Sequence, residues 1–319
     1  MPESNHPVPL KAQALDVVKG SVATAALFLA FISLPVIGLI PGFCVPTPGV
    51  YYSLKSGRMT GIAIVLMTVA LLVALRDPAA LIIYLLQAGV MTLTLPEFLK
   101  RNKGGARSIV YAVAVNLAVV LVVAAAFGMI TGTDLHAKII KGVNASINQT
   151  GQVYEKMGVK GDELKGLQDS MRQAASLIVT IYPALITVAL GCIGAWNVSL
   201  VSRIAARFRV PVYIGDFRKY RNPEPMIWLL IVSGFTLLIP QTMVYLTALN
   251  TTVILCALYC VQGFAIISHY FSRYRVPRAA RAVFIAIIML QPFLTLVVAA
   301  LGIFDLWGNF RAPRQPKNL

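Results

Sequence analysis

Apolar residues run in long blocks along this chain, separated by short polar connectors that are mostly basic. A helix needs about 20 predominantly apolar residues to cross a bilayer. Such blocks fall at residues 60–75, 79–98, 108–131, 173–202, 226–247, 253–272 and 282–304. An eighth stretch, 20–54, is interrupted by Pro35, Pro41, Pro46 and Pro48. As helix it reaches about 52 Å, too short for two full crossings of a core about 30 Å thick plus a turn. Either one long broken span or one full span followed by a short one is therefore expected there, and the second is preferred. Thr47 would be the N-cap and Pro48 the first residue of a short helix ending at Lys55. The pattern predicts an all-α fold, a polytopic transmembrane helix bundle of about eight or nine spans, built as one integral membrane domain over 1–319. With nine spans the N-terminus lies on the side of Lys55, and with eight it lies opposite.

Segment 133–172 breaks the pattern. Leu135, Ile139, Ile140, Val143 and Ile147 share one helical face, and Leu164, Leu167 and Met171 form a second stripe. An amphipathic, extracytoplasmic helical loop is expected, lying on lipid or over the bundle.

Composition sharpens this picture. Charged residues make up 13% of the 319, hydrophobic ones 58%, and mean hydropathy is +0.76. A soluble domain carries roughly 25% charged residues. An ordinary soluble globule is excluded, and so is a disordered chain, which needs low hydrophobicity. The 28 Lys+Arg against 12 Asp+Glu leave a formal charge of +16. Basic connectors at 55–58, 100–107, 203–224 and 273–281 alternate with nearly neutral ones at 76–78, 133–172 and 248–252. Short loops rich in Lys/Arg stay cytoplasmic. The expected placement is the bacterial cytoplasmic (inner) membrane, multi-pass, with the N-terminus inside and the C-terminus outside. Anionic lipid at the cytoplasmic face accounts for the excess charge without nucleic acid. Arg203, Arg207, Arg209, Arg218, Lys219 and Arg221 form a basic cytoplasmic patch, a candidate handle for a membrane or cytoplasmic protein partner.

Candidate chemistry is sparse. No span interior holds a charged residue, which argues against a proton-driven pump. Neutral polar residues do occur within spans: Gln87, Asn116, Asn197, Gln241, Gln262 and Gln291. Asn197, Gln241, Gln262 and Gln291 are the candidate polar intramembrane site, a hydrogen-bonding pocket for a small neutral solute. The competing reading is ordinary interhelical hydrogen bonding. Pro41, Pro46 and Pro48 mark a candidate broken helix, which lines a wet cavity in some transporters and is a plain outer loop in others. Asp305 and Arg311 straddle Trp307 and are expected to anchor the final helix end, where a pair between them would be weak in an exposed geometry. His269, near the inner end of its helix, reads as an interface residue. Cys256 and Cys260 share a face but lack further ligands, so they read as packing residues. Nucleophile, P-loop, zinc and dinucleotide motifs are absent. No enzyme, metal or cofactor is expected.

Several stretches carry a resemblance. These are Tyr154–Val159 with Asp162-Glu163-Leu164 before a span containing Pro183, Asn197 and Arg203 at the end of that span, Phe217 through Asn222-Pro223 with Trp228, Gln262-Gly263, and the C-terminal run Leu301–Arg311. In these the chain resembles the YybS-like family of bacterial integral membrane proteins over most of its length. That resemblance implies a multi-pass membrane fold and names no activity. Over the first 75 residues, Pro41 and Pro48, a short helix, then Gly57 and Gly61 are similar to the S components of energy-coupling-factor transporters. This second likeness implies a solute cavity closed by the loop after the first span, with ATPase and transmembrane partners.

Overall fold

Proline and glycine decide where the helices of this protein stop. The computed structural model describes residues 10–34, 37–102, 104–132, 135–207, 210 and 212–311. Among these the only regular structure is helical. Two compact units are distinguished: Met1–Leu135 with Ala189–Gly215, and His136–Val188 with Asp216–Leu319.

The first unit holds α1 (Leu10–Ser33), α2 (Leu39–Cys44), α3 (Pro46–Ser56) and α4 (Arg58–Ala74). It continues with α5 (Pro78–Tyr84), a π-helical turn (Leu85–Gly89), α6 (Val90–Lys100), α7 (Gly105–Thr131) and the last part of α9 (Asp162–Arg207). Gly57, at φ +104°, makes the tight turn between α3 and α4 that a side chain would strain. Asp77 caps α5 by accepting from the Ala79 and Ala80 amides at 3.0 Å, with Pro78 in the first turn. Two apolar clusters form the core. One gathers Val50, Met91, Leu95, Ala112 and Val201, and the other gathers Phe28, Val45, Tyr84 and Ala88.

Polar contacts collect the connectors at one end of this unit. Lys55 Nζ donates to both carboxylate oxygens of Asp16 at 2.9 Å, and Ser56 Oγ donates to the same carboxylate. Lys100 Nζ donates to the Ser53 carbonyl at 3.0 Å, and the Gly105 amide to the Ile214 carbonyl at 2.8 Å. The start of α1 therefore lies beside the end of α3, and α1 with α2–α3 forms a hairpin. The short helix begins at Pro46, two residues before the expected start. Thr47 is not its N-cap, because its hydroxyl is engaged by Asn197 instead.

The second unit holds α8 (Leu135–Lys156) from His136 on, the first part of α9, a 3-10 turn (Phe217–Lys219), α10 (Met226–Thr236), α11 (Thr242–Arg273), α12 (Arg278–Leu290) and α13 (Pro292–Gly308). Within segment 133–172 the helices are Leu135–Lys156 and the start of Asp162–Arg207, with a turn at 157–161 between them. Ile147 is buried, Leu164, Leu167 and Met171 are half-buried, and Gly151 closely approaches Gln168.

Three expectations fail here. The single span 226–247 is broken, because Pro240 offers no amide to continue a helix. The loop expected at 248–252 lies inside α11, which runs 32 residues without a break. Its Asn250 accepts from the Ala184 amide at 2.9 Å and donates to the Thr180 carbonyl at 3.0 Å. Those two groups are an i,i+4 pair of α9 beside Pro183, so the Asn250 amide serves the helix ladder where proline disturbs it. The span 282–304 is two helices meeting at 106° across Gln291-Pro292.

That bend moves the C-terminal end. Tyr270 Oη donates to the Phe310 carbonyl at 2.7 Å, and Arg218 Nη1 to Ser272 Oγ at 2.7 Å. The 216–221 loop, the end of α11 and the end of α13 thus lie together. The expectation that residues 304–311 face away from the basic loop is wrong in this respect: α12 and α13 make a bent pair, not one crossing.

Among the described residues five helical stretches are long and apolar enough to span a membrane: α1, α5–α6, α7, α9 and α11. The bent pair would make six, while α4 and α10 are apolar but shorter, at 17 and 11 residues.

Glycine allows α11 and α13 to touch. A Cβ on Gly302 would fall 2.0 Å from the Tyr259 carbonyl oxygen, and one on Gly263 would fall 2.0 Å from that of Val298. Both atoms are backbone and cannot swing aside. Gly302→Leu should therefore lower stability by about 1–3 kcal/mol or more through overpacking. Thermal denaturation of the detergent-solubilised protein checks this against Gly166→Leu, where the site is open.

Candidate functional site

The Asp305 carboxylate in the second unit is 2% exposed near the end of α13. An ionised carboxylate removed from water needs several donors. Arg311 Nη2 donates directly to Oδ2, Gln262 Nε2 donates to the same oxygen at 3.1 Å, and the Phe310 amide donates to Oδ1 at 3.2 Å. Asn309, in left-handed conformation with φ 39°, turns the chain so that Arg311 comes back over the helix end. The expected exposed pair is a buried one: Arg311 is only 16% exposed.

The network closes on itself. Gln262 Oε1 accepts from the Asn222 amide at 2.9 Å, and Asn222 Nδ2 donates to the Leu258 carbonyl at 3.0 Å. Tyr220 Oη donates to Asn222 Oδ1 at 2.7 Å. Arg311 Nη1 donates to the carbonyls of Tyr220 at 2.8 Å and Arg218 at 3.0 Å. Tyr220, Asn222, Gln262, Asp305 and Arg311 thus form a ring tying the 216–222 loop to α11 and α13.

The ring fixes cations around a cleft. The cleft has a volume of about 310 Å³ and is lined by Arg218, Lys219, Arg221, His269, Asp305 and Arg311, together with Asn309. Arg221 Nη2 donates to the Leu306 carbonyl at 3.1 Å. Asp216 accepts from Arg218 Nε at 2.9 Å and from the Arg218 amide at 3.0 Å. The Arg218 side-chain hydrogen bond holds the Asp216 carboxyl below its ordinary range. Acid that protonates Asp216 weakens these bonds and with them the turn.

The sequence-derived polar set does not assemble into one pocket. Gln262 is buried in the ring. Gln241 and Gln291 are exposed N-cap residues whose side chains make no capping hydrogen bond. Asn197 belongs to the first unit, where it meets the candidate broken helix. Its Oδ1 accepts from Thr47 Oγ1 at 2.6 Å, and its Nδ2 donates to the carbonyls of Phe43 at 2.9 Å and Ile193 at 2.7 Å. Trp196 Nε1 donates to Cys44 Sγ at 3.2 Å beside these contacts. Pro46 is buried here, and Pro41 and Pro48 are half-buried. The segment is clamped inside protein, which is where irregular backbone is tolerated.

The basic patch is divided. Exposed Arg203 and Arg207 belong to the first unit, and Arg218, Lys219 and Arg221 to the second. Arg209 and Pro35 lie outside the described residues. His269 lines the cleft, and Cys260 Sγ reaches the Thr295 carbonyl at 3.9 Å.

Asp305, Asn222 and Thr47 are the participants that sequence reasoning missed as site residues. One signal was available for the first two. The stretches 217–228, 262–263 and 301–311, all singled out by their resemblance to one family, are the ones that meet in the ring.

Removing one member of a buried ion pair leaves an uncompensated charge. Asp305→Ala should cost about 3–5 kcal/mol, and Gln262→Ala less, about 1–3 kcal/mol. Denaturation midpoints in detergent check both; a loss under 1 kcal/mol for Asp305→Ala would show that the pair is solvated.

Comparison with known proteins agrees with the membrane architecture. The family model described as "Predicted membrane protein (DUF2232)" matches residues 22–306. The chain is 23% identical over 292 residues to "Uncharacterized protein YybS" of Bacillus subtilis (strain 168), covering 90% of this chain and 93% of that one. No solved structure matches. With a ring built from stretches inside or bordering the matched region, the chain belongs to the DUF2232 family of predicted membrane proteins.

Proposed function

We propose that the protein is a non-enzymatic interaction or assembly protein of the bacterial cytoplasmic membrane, working through the basic end of its second unit. The observation that carries this reading is the ring around Asp305, which spends its buried polar groups on holding cations in place. Arg218, Lys219 and Arg221 stand exposed on that frame, and Arg273, Arg275, Arg278 and Arg281 belong to the same end. A segment so rich in arginine stays on the cytoplasmic side. In this reading the C-terminal end faces the cytoplasm with it.

A photo-crosslinking amino acid placed at exposed Phe217 in living cells tests the proposal. A discrete membrane-protein adduct is expected, and it should disappear in Arg218→Gln/Lys219→Gln/Arg221→Gln. Adducts that survive neutralisation, or a chain that crosslinks to no protein, would overturn it.

A second reading, small-solute binding in the manner of an S component, is favoured by one observation in the first unit. Asn116 is fully buried with neither amide atom hydrogen-bonded, and the Thr92 hydroxyl is likewise unpartnered. Such groups cost about 1–3 kcal/mol each unless a ligand uses them. On this reading Asn116→Leu raises the thermal midpoint of the empty protein and abolishes solute-dependent stabilisation. A lowered midpoint would assign Asn116 to structure alone.

A further inference from the structure

We propose that the cleft beside Asp305 is a binding site for the phosphate headgroup of an anionic phospholipid. The inference rests on reading this end of the protein as an interaction surface, and not on the partner being a protein.

Charge is the first argument. Of the four cations at the cleft, two are committed: Arg311 is neutralised by Asp305, and Arg218 by Asp216. Lys219 and Arg221 remain. Arg221 is held by backbone carbonyls at Asp305 and Leu306 through Nη2 only. Its other guanidinium N–H groups, and Lys219 Nζ, have no hydrogen-bond partner among the described residues. A guanidinium fork beside an ammonium suits phosphate oxygens, which accept from both at once.

Position is the second argument. The cleft opens at the ends of apolar helices α11 and α13, the depth at which headgroups lie. Exposed Phe293, Leu296, Val297, Phe304 and Trp307 recur along α13 at helical spacing and lead to that end. The stripe marks α13 as a lipid-facing helix, so a headgroup held at its end leaves its acyl chains in the apolar layer. A freely dissolved phosphate gains nothing from that layer. Basic pockets beside transmembrane helices are known headgroup sites. Rigidity is the third argument, because the ring fixes the backbone of the 218–222 loop and the Arg311 guanidinium before any ligand arrives, so that only the Lys219 and Arg221 side chains remain to be ordered.

Purified full-length protein in nanodiscs provides the test, with retained lipid counted by native mass spectrometry. Phosphatidylglycerol should be retained over phosphatidylcholine. Lys219→Gln should weaken that retention about fivefold, and Lys219→Gln/Arg221→Gln about 25-fold, at roughly fivefold per cation removed. Arg221→Lys should restore part of the loss, and Lys160→Gln, on an exposed turn that does not line the cleft, should change nothing. The Lys219 side chain makes no hydrogen bond among the described residues, so the single variant remains informative if the double one is unstable. Equal retention of both lipids, or retention unchanged in Lys219→Gln, would overturn the proposal. So would displacement of bound lipid by glycerol 3-phosphate or inorganic phosphate at comparable concentration, which would make the cleft a soluble-anion site. The crosslinking experiment can fail while this one succeeds, since one reads protein neighbours and the other reads lipid.

Discussion

A carboxylate buried at the end of an apolar helix must be answered by its surroundings, and in the second unit Asp305 sets that demand. It draws Arg311 back over the helix end, fixes the orientation of the Gln262 amide, and through Gln262 captures the backbone at Asn222. The loop that carries the basic residues is thereby tied to two helices. Buried ion pairs are poor sources of net stability compared with apolar packing, but breaking one is costly, which favours a single arrangement over alternatives. Here the arrangement so selected is a cleft with its cations already in position.

The same logic, without charge, operates in the first unit. Asn197 satisfies three partners at once, and two of them, Phe43 and Thr47, lie on the proline-interrupted segment. Asn250 does comparable work in α9 next to Pro183. In each case a carboxamide, which both donates and accepts, is placed where proline has removed an amide from a helix. These side chains satisfy backbone groups beside Pro46 and Pro183, whereas at Pro240 and Pro292 the helix breaks. They also reduce the polar residues free to line a solute path, which weighs toward the interaction reading.

Helix contact supplies the rest of the frame. Gly263 and Gly302 let the backbones of α11 and α13 approach closely, and this brings Gln262 within reach of Asp305. Close packing and the polar ring are one construction: a side chain at either glycine would separate the helices and strand the carboxylate. The cleft, the ring and the glycine contact therefore stand or fall together.

Much of this protein was legible in its residues alone. Apolar blocks and scarce charge determine a helical membrane bundle, because a bilayer accepts only structures that satisfy their own backbone. The stripes Leu164, Leu167, Met171 and Ile139, Val143, Ile147 determine the amphipathic pieces, since helical periodicity is local. What lay beyond reach was long-range. Whether Pro240 and Pro292 kink, cap or break a helix depends on which neighbours satisfy the freed groups, so 226–247 and 282–304 read as spans and are broken. Asp305 and Arg311 read as a weak surface pair, because their burial is created by Gln262 on another helix and by the Tyr220 carbonyl on a loop. Hydropathy along a chain records which segments leave water; only the tertiary structure decides which polar groups must then meet, because each needs a partner that sequence distance does not reveal.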